Sequence, residues 1–275
     1  MTLPLHYTLI RHGFSERNRF RRYYEDGQIN VLEELVSKAL WDGHDSDARL
    51  TNRGIEQAEL TGMWLRENWE PFNRFYVSPH VRARETAGHL RLNGDWIVDD
   101  RFRERDWGEV ALTDRDYGET MTEISLQLRD QNYWYWKPQG GESLATGVRL
   151  RVESIMNSLH RRGETVSNVV AVSHGENIDA HRFVIEKLTP NQYNQDRDSK
   201  KRSVANTMVL QYSRVNPYNP SEVRNNYHWR RAVCPWDDRK SWDNGEWVKF
   251  TVDKQTDQDL LDYAESHGRY FADEV

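Results

Sequence analysis

The 275-residue sequence predicts an α/β protein with a three-layer, mostly parallel sheet and helices on both faces. Short runs of β-branched and aromatic residues, typical of buried parallel strands, alternate with longer amphipathic segments typical of helices. Strands joined by such helices connect through right-handed crossovers, which place helices on both faces of the sheet. Ligands of these sheets bind beyond the carboxyl ends of the strands, so we look there for the functional site.

Four apolar runs are the predicted strands. They are LHYTLI (5–10), RFYVS (74–78), DWIV (95–98) and NVVAVS (168–173). Their length and β-branched or aromatic content favour strands that are buried on both faces.

Two segments between these runs have a helical pattern. In 51–69, Thr51 is a predicted N-cap. In 143–162, a helix ends on basic residues and leads into the strand at 168–173. Both helices place apolar side chains on or near one side, where they would pack on a sheet. These side chains are Ile55, Ala58, Met63 and Leu65 in the first helix, and Leu144, Val148, Val152, Ile155 and Leu159 in the second.

We expect residues 1–213 to form one α/β domain, with an insertion at about 20–49 that lies over the site. The composition of the sequence changes at about residue 214. Residues 214–275 contain tryptophans at 229, 236, 242 and 247. Because indole is chiefly a large surface to bury, packing on the domain is favoured for this extension, and a lid is the alternative.

Charge and cysteine content narrow the class of protein. A net charge of −6 and a pI near 6.0 argue against a dedicated nucleic-acid or anionic-membrane binder, although the basic run at 19–22 could hold an anionic ligand. The single cysteine, Cys234, excludes an internal disulfide. The apolar start lacks the features of a signal peptide, and no apolar run approaches the ~18 residues of a membrane span. We therefore expect a cytoplasmic protein.

A His-Gly pair follows two of the predicted strands. His12 follows the strand at 5–10, and His174 follows the strand at 168–173. If these strands are parallel neighbours, both imidazoles leave the same edge of the sheet and face one crevice.

The residues around these histidines suit phosphoryl transfer. Arg11 precedes His12, SPHVRARET (78–86) adds basic residues, and RERDWGE (103–109) adds acidic ones. Arginine guanidinium groups match the oxygens over which the transition state spreads negative charge. A neutral imidazole is a competent nucleophile at pH 7, and a carboxylic acid can protonate the leaving oxygen.

Five blocks, in order, resemble the histidine phosphatase superfamily, in its phosphoglycerate-mutase-like branch. They are RHGFSERN (11–18), which is similar to the pattern RHGxSxxN, then LTNRGIEQA (50–58), SPHVRARETA (78–87), GGESL (140–144) and VSHGEN (172–177). The resemblance spans roughly 5–185 and a final predicted strand, VANTMVLQY (204–212). It implies a phosphoglycerate-mutase-like fold.

The resemblance also assigns roles to residues. It implies that His12 is the nucleophile that becomes phosphohistidine. The residues that would hold the phosphoryl group or line its pocket are Arg11, Arg82, His174, Asn18 and Ser15. The family needs no metal, and the sequence has no Cys/His cluster that suggests one, so we expect neither a metal nor another cofactor.

The acid/base residue is less determined. Glu104 stands where the carboxylate of the family lies, but Asp106 and Glu109 share its segment. Taken singly, Arg11 and Arg82 could be surface ion-pair residues. His174 could likewise be a structural histidine. The joint motif context favours the catalytic interpretation. His44, His80 and His89 are assigned to structure or solvent.

Three functions stay open. A metal-independent phosphatase acting on a small phosphorylated metabolite is favoured over a phosphoglycerate mutase, because Arg17 and the pair Leu50–Thr51 depart from the pattern of the glycolytic mutases. An inactive binding module on the same fold is the third alternative. The expected partner is the small substrate, without nucleic acid or membrane. A homo-oligomer stays open.

Overall fold

The computed structural model describes residues 2–26, 45–108, 123–162, 166–199 and 202–269. Within these ranges the strands are β1 (His6–Arg11), β2 (Arg74–Val77), β3 (Trp96–Val98), β4 (Asn168–Ser173), β5 (Val209–Ser213), β6 (Val215–Asn216), β7 (Asn219–Val223), β8 (Trp229–Val233) and β9 (Val248–Lys249). Seven of them form one sheet in the order β3-β2-β4-β1-β5-β8-β9, and β6 pairs with β7 in a separate hairpin.

The helices fall between these strands and after them. They are α1 (Glu16–Glu25), α2 (Asn52–Asn68), α3 (Val81–Leu90), α4 (Glu123–Gln131), α5 (Arg149–Arg162), α6 (Gly175–Glu186), α7 (Pro190–Ser199) and α8 (Asp257–Glu265). Among the described residues, no helix combines the length and the apolar character that crossing a bilayer would require.

The four N-terminal strands of the sheet are parallel, as predicted. β1 pairs with β4 in a register that places Arg11 opposite Ser173, and β2 lies between β4 and β3. β5 then runs antiparallel along the other side of β1. Because β1 and β4 end at the same level, His12 and His174 leave the sheet side by side.

Both predicted helices are present. Thr51 caps α2 by accepting a hydrogen bond from the Gly54 backbone N–H at 3.2 Å, and Ala58 and Leu65 are buried as expected. Met63 is 47% exposed, so its placement on the packed side was wrong. It lies five residues after Ala58, and at ~100° per residue that position turns away from the sheet.

The segment 143–162 forms helix later than predicted. Residues Leu144–Val148 make a single wider π turn, and the α-helix starts at Arg149. All five predicted apolar positions of this segment are nevertheless buried: Leu144, Val148, Val152, Ile155 and Leu159.

Apolar clusters on the two faces of the sheet confirm the three-layer class. On one face, Tyr7 and Leu9 of β1 pack with Ile155 and Leu159 of α5. On the other face, Ile10 of β1 packs with residues of α2 and α3. Alternate residues of β1 therefore enter opposite cores, as a strand buried on both faces requires.

The C-terminal extension continues the central sheet. β8 pairs antiparallel with β5, and β9 pairs with β8. The domain boundary predicted after residue 213 stays a prediction. Strands from both sides of that position, β5 and β8, are neighbours in one sheet. Most of the predicted insertion at 20–49 lies outside the described residues.

Candidate active site

The loop that follows β1 is held tightly between two other elements. The Gly13 backbone N–H donates to Thr86 Oγ1 of α3 at 2.9 Å. A Cβ atom on Gly13 would lie 2.5 Å from the carbonyl oxygen of Gly54, at the start of α2. Only glycine permits this approach of two backbones, which explains why Gly13 follows His12.

His12 is buried, with 3% of its surface exposed. Its Nδ1 lies 2.8 Å from the carbonyl oxygen of Gly13. A carbonyl only accepts, so Nδ1 carries the proton and Nε2 keeps its lone pair. Burial, together with the positive charges of Arg82 and Arg11, holds the pKa of His12 well below its usual value. His12 is therefore a neutral imidazole with a nucleophilic Nε2 at pH 7.

His174 lies directly behind His12. The two ring centroids are 5.1 Å apart, and Ser78 Oγ is hydrogen-bonded to His174 Nε2 at 2.8 Å. His174 Nδ1 is 3.9 Å from Glu104 Oε2 and has no hydrogen-bond partner among the described residues. Burial lowers the pKa of His174, and the charge of Arg82 lowers it further. The ring is fully buried.

A cavity of about 650 Å³ opens beside His12. Of the seven residues predicted for the site, six line it: Arg11, His12, Ser15, Asn18, Arg82 and Glu104. His174 is not part of the wall that the described residues form, because its ring is enclosed by the rings of His12 and His80. The predicted contact between His174 and the phosphoryl group stays a prediction.

Arg11 and Arg82 bring positive charge to the part of the cavity beside His12. Arg11 is the last residue of β1, and its Nη1 donates to the Val204 carbonyl at 2.6 Å. Arg82 is buried on the first turn of α3 and lowers the pKa of both His12 and His174 by its charge. Two guanidinium groups at the wall beside a neutral imidazole suit a phosphoryl group.

Ser15 and Asn18 line the cavity as a linked pair at the start of α1. Asn18 Oδ1 accepts hydrogen bonds from the Ser15 backbone N–H and Oγ, each at 3.2 Å. It also accepts from Asn206 Nδ2 at 3.2 Å. Since Oδ1 takes these donors, the Nδ2 group of Asn18 is the half of the amide that can bind a phosphoryl oxygen.

Of the two described candidates for the acid/base residue, Glu104 is the one that lines the cavity. Its Oε1 accepts from the Arg105 backbone N–H at 3.0 Å. Burial and the charge of Glu176 raise the pKa of Glu104 to about 7, so the side chain can hold a proton at neutral pH. Its rival Asp106 is exposed and accepts from the Gly108 backbone N–H, and it does not line the cavity. Glu109 lies outside the described residues.

Glu176 was not predicted as a site residue. Glu176 lines the cavity from the first turn of α6, and its Oε1 accepts from the Tyr133 hydroxyl and from Arg105 Nη1. The Arg105 side chain is fully buried, and its guanidinium lies against the rings of Trp107, Tyr133 and Trp136. The only signal in the sequence was the position of Glu176, directly after His174-Gly175.

Further supporting residues were also missed. Ser78 binds His174, Thr86 binds the Gly13 backbone, and Asn206 Nδ2 donates to the His12 carbonyl at 2.9 Å. Ser78 and Thr86 lie within SPHVRARETA (78–87), so their polarity was available as a signal. Asn206 was predicted within the final strand, 204–212, but that strand begins only at Val209, and Asn206 lies in the segment before it.

The remaining histidines and arginines are spread around the site. His80, expected in a structural or exposed position, packs its ring edge against His174 at 4.7 Å between centroids. His89 lies 3.5 Å from Glu59 on the surface, and His44 is outside the described residues. Arg21, from the basic run at 19–22, lines the cavity together with Arg17. In the part of the chain that the structure describes, no group of three or more His, Cys, Asp or Glu residues is arranged to hold a metal ion.

Comparisons with known proteins identify the family of the chain. Residues 7–204 match the model of the histidine phosphatase superfamily, branch 1. The chain is 30% identical over 197 residues to a 2,3-bisphosphoglycerate-dependent phosphoglycerate mutase of Allorhizobium ampelinum, covering 67% of this chain and 81% of that protein. It is 31% identical over 197 residues to the protein of that name from Rhizobium johnstonii, covering 66% and 79%.

Solved structures show the same fold. The phosphoserine phosphatase of Entamoeba histolytica superposes with a TM-score of 0.55 at 20% identity, covering 81% of this chain and 95% of that one. A mycobacterial glucosyl-3-phosphoglycerate phosphatase superposes with a TM-score of 0.53 at 20% identity, covering 81% and 96%. The family predicted from the five sequence blocks is thereby confirmed: the chain belongs to the histidine phosphatase superfamily.

Proposed function

We propose that the protein is a metal-independent phosphomonoester hydrolase that acts on a small phosphorylated metabolite through a phosphohistidine intermediate. The observation that carries this proposal is the hydrogen bond from His12 Nδ1 to the Gly13 carbonyl. It leaves the Nε2 lone pair available at the cavity, next to Arg11 and Arg82. The cavity volume, about 650 Å³, lies within the ~300–1,000 Å³ that is usual for small-molecule sites.

In the first step, His12 Nε2 attacks the phosphorus, and the bond from phosphorus to the leaving oxygen breaks. Arg11 and Arg82 stabilise the negative charge on the equatorial oxygens. The proton of Glu104 passes to the leaving oxygen, so the product departs as an alcohol rather than as an alkoxide. The pKa of Glu104, about 7, suits this transfer.

In the second step, water attacks the phosphorus of the phosphohistidine. Glu104, now a carboxylate, accepts the proton of the water, and the bond from phosphorus to Nε2 breaks. Inorganic phosphate leaves, and His12 and Glu104 return to their starting protonation states.

The ion pairs in the lining of the cavity support a phosphatase over a mutase. Glu176, Asp179, Asp196 and Asp198 line the cavity. The arginines nearest to them are already in ion pairs: Arg182 with Asp179 and Asp196, Arg202 with Asp196, and Arg197 with Asp198. Arginines held in ion pairs have less charge to offer to the second anionic group of a bisphosphorylated or carboxylated substrate.

Phosphoglycerate mutase activity is the alternative. The relatives at about 30% identity carry that name, and Arg17 and Arg21 line the cavity where they could bind a second anion. A mutase must return the phosphoryl group to an acceptor, whereas a phosphatase admits water to the phosphohistidine.

Three measurements test the proposal. Release of inorganic phosphate is measured over a panel of phosphorylated metabolites, without added metal. Rapid quench with ³²P-labelled substrate should trap an acid-labile protein phosphate, which the His12→Ala variant should lack together with turnover. Interconversion of 2- and 3-phosphoglycerate, with and without bisphosphoglycerate, tests the mutase. Near-normal turnover by His12→Ala would end the mechanism. Absence of all turnover by the wild type would favour a binding module.

A further inference from the structure

The segment 203–206 touches several groups of the proposed phosphate pocket. The Val204 carbonyl accepts from Arg11 Nη1 at 2.6 Å. Asn206 Nδ2 donates to the His12 carbonyl at 2.9 Å and to Asn18 Oδ1 at 3.2 Å. Ser203 and Val204 themselves line the cavity. A shift of this segment would therefore move Arg11, His12 and Asn18 together.

Two tryptophans of the C-terminal extension hold the other side of this segment. The Trp236 indole N–H donates to the Asn206 carbonyl at 2.8 Å, and the Trp242 indole N–H donates to the Ser203 carbonyl at 3.2 Å. An indole has a single hydrogen-bond donor, and in both side chains it is used on backbone that flanks Val204. Trp242 is 5% exposed, so its N–H would be costly to leave unpaired.

Trp242 also links the extension to an ion pair that lines the cavity. The guanidinium of Arg182 lies 4.9 Å from the Trp242 ring centroid, and that of Arg230 lies 5.6 Å away. Arg230 Nη1 is paired with Glu186 Oε2 at 2.6 Å, and Arg182 Nη2 with Asp196 Oδ2 at 2.6 Å. These contacts connect β8 with the cavity wall through buried charges.

All the extension residues in these contacts lie beyond residue 204, where the match to the family model ends. The support of the pocket from this side is therefore supplied by a part of the chain that the family match does not include.

We propose that Trp236 and Trp242 are positioning residues of the phosphoryl-binding pocket. By holding the backbone of 203–206 in place, they fix the Arg11 guanidinium and the His12 main chain relative to the bound phosphoryl group. This inference rests on the proposed function, because it assigns the tryptophans a role in the reaction of His12. Misplacement of a binding group by about 1 Å can cost on the order of 10²-fold in rate.

The test removes the indole donors and keeps an aromatic ring, with Trp236→Phe and Trp242→Phe. The matched controls are Trp229→Phe and Trp247→Phe in the same extension. Trp229 packs on Tyr218 and Trp247 packs on Trp69, and none of these residues lines the cavity. Hydrolysis of p-nitrophenyl phosphate, inhibition by orthovanadate and thermal unfolding are measured for each variant.

In Trp236→Phe and in Trp242→Phe, kcat should fall at least tenfold and orthovanadate should inhibit more weakly by a similar factor, with little change in KM. The controls should stay within twofold of the wild type. A general loss of stability would instead lower the Tm of all four variants without this split between kcat and KM. Wild-type kcat and orthovanadate affinity in Trp236→Phe and Trp242→Phe would overturn the inference.

A double-mutant cycle tests the route through Arg11. If Trp236 acts by positioning Arg11, Trp236→Phe should have far less effect on kcat/KM in an Arg11→Ala background than in the wild type. Full additivity would contradict that route.

If a variant does not fold, Trp236→His, which keeps a ring N–H, is compared with Trp236→Leu. Recovery of activity only with histidine supports positioning, and equal activity of the two overturns it.

Failure of the proposed function is distinguishable from failure of this inference. If the wild type hydrolyses no phosphomonoester, binding of inorganic phosphate is measured by calorimetry. Weaker phosphate binding by Trp236→Phe and Trp242→Phe, with unchanged binding by the controls, would support positioning of the pocket without catalysis. Equal binding by all variants would overturn it.

Discussion

Glu104 and Glu176 are both hydrogen-bonded to Arg105, one to its backbone N–H at 3.0 Å and the other to its side-chain Nη1 at 3.4 Å. This shared partner holds two carboxyl groups at the wall of one cavity. Tyr133 and Arg105 both donate hydrogen bonds to Glu176, whereas burial favours the protonated form of Glu104. A protonated Glu104 is the acid that the first chemical step requires.

The role of Glu104 is tested by the leaving group. Glu104→Gln should reduce kcat/KM for alkyl phosphates far more than for p-nitrophenyl phosphate, because the departure of an activated aryl oxide needs little proton assistance. Asp106→Asn, at an exposed position outside the cavity, should show no such selectivity. Equal losses on both substrate types in Glu104→Gln would move the acid role elsewhere.

The charge of Glu176 should be visible in the pH profile. For an alkyl phosphate, kcat/KM should fall as the pH rises through about 7, where Glu104 loses its proton. Arg11, Arg82 and the Arg105 N–H favour the ionised form of Glu104, whereas the charge of Glu176 opposes it. Glu176→Gln should therefore shift this alkaline limb to lower pH.

The control for the pH profile is Asp198→Asn. It removes the same charge from the same cavity, but at an exposed position paired with Arg197. The alkaline limb of the kcat/KM profile of Asp198→Asn should stay at the same pH as in the wild type. An unmoved limb in Glu176→Gln would show that Glu176 does not set the protonation of Glu104.

Stability should depend on pH through Glu104. Its pKa is raised in the folded protein from 4.5 to about 7, so the contribution of the protonated form to folding is complete below about 4.5 and is lost as the pH rises to about 7. Glutamine cannot ionise. Glu104→Gln should then be more stable than the wild type at pH 8, by up to about 3 kcal/mol, but not at pH 4. Urea unfolding at both pH values measures the difference, and an equal difference at both would refute this linkage.

Arg11 and Arg82 should stabilise the transition state. Arg11→Ala and Arg82→Ala should each cost about 2–4 kcal/mol in kcat/KM, by analogy with removal of an oxyanion donor. Arg84→Ala, an exposed residue on the same helix as Arg82, is the control. A loss of less than tenfold would place that arginine outside the phosphate pocket.

Activity should survive exhaustive dialysis against a chelator. The positive charge that a divalent cation would supply comes here from Arg11 and Arg82. Phosphate release is compared before and after chelation. Loss of activity that one divalent ion restores would refute the metal-free mechanism.

The sequence was sufficient to predict the convergence of His12 and His174, because both follow strands of a parallel sheet and parallel strands end at one edge. The sequence also predicted which helical side chains pack towards the sheet, with the exception of Met63. Residues that join the site by tertiary packing, such as Tyr133 at the cavity and Asn206 at the His12 carbonyl, could not be found, since no periodicity or motif marks them. The extension was undetermined because WRRAV, the sequence of β8, has neither a strict alternation nor a continuous apolar run.

The position of β1 in the sheet has a consequence for the order of folding. His6 pairs with Asn168 on one side and with Ser213 on the other, so both neighbours of the first strand come from distant, later parts of the chain. Such long-range pairings slow folding, because the closure of large loops precedes the contacts that stabilise them. During synthesis, His12 is among the first residues made, yet β1 is flanked on both sides only after β5 has been made. Nascent chains that end before Val209 should therefore hold His12 on an incomplete sheet and show no turnover.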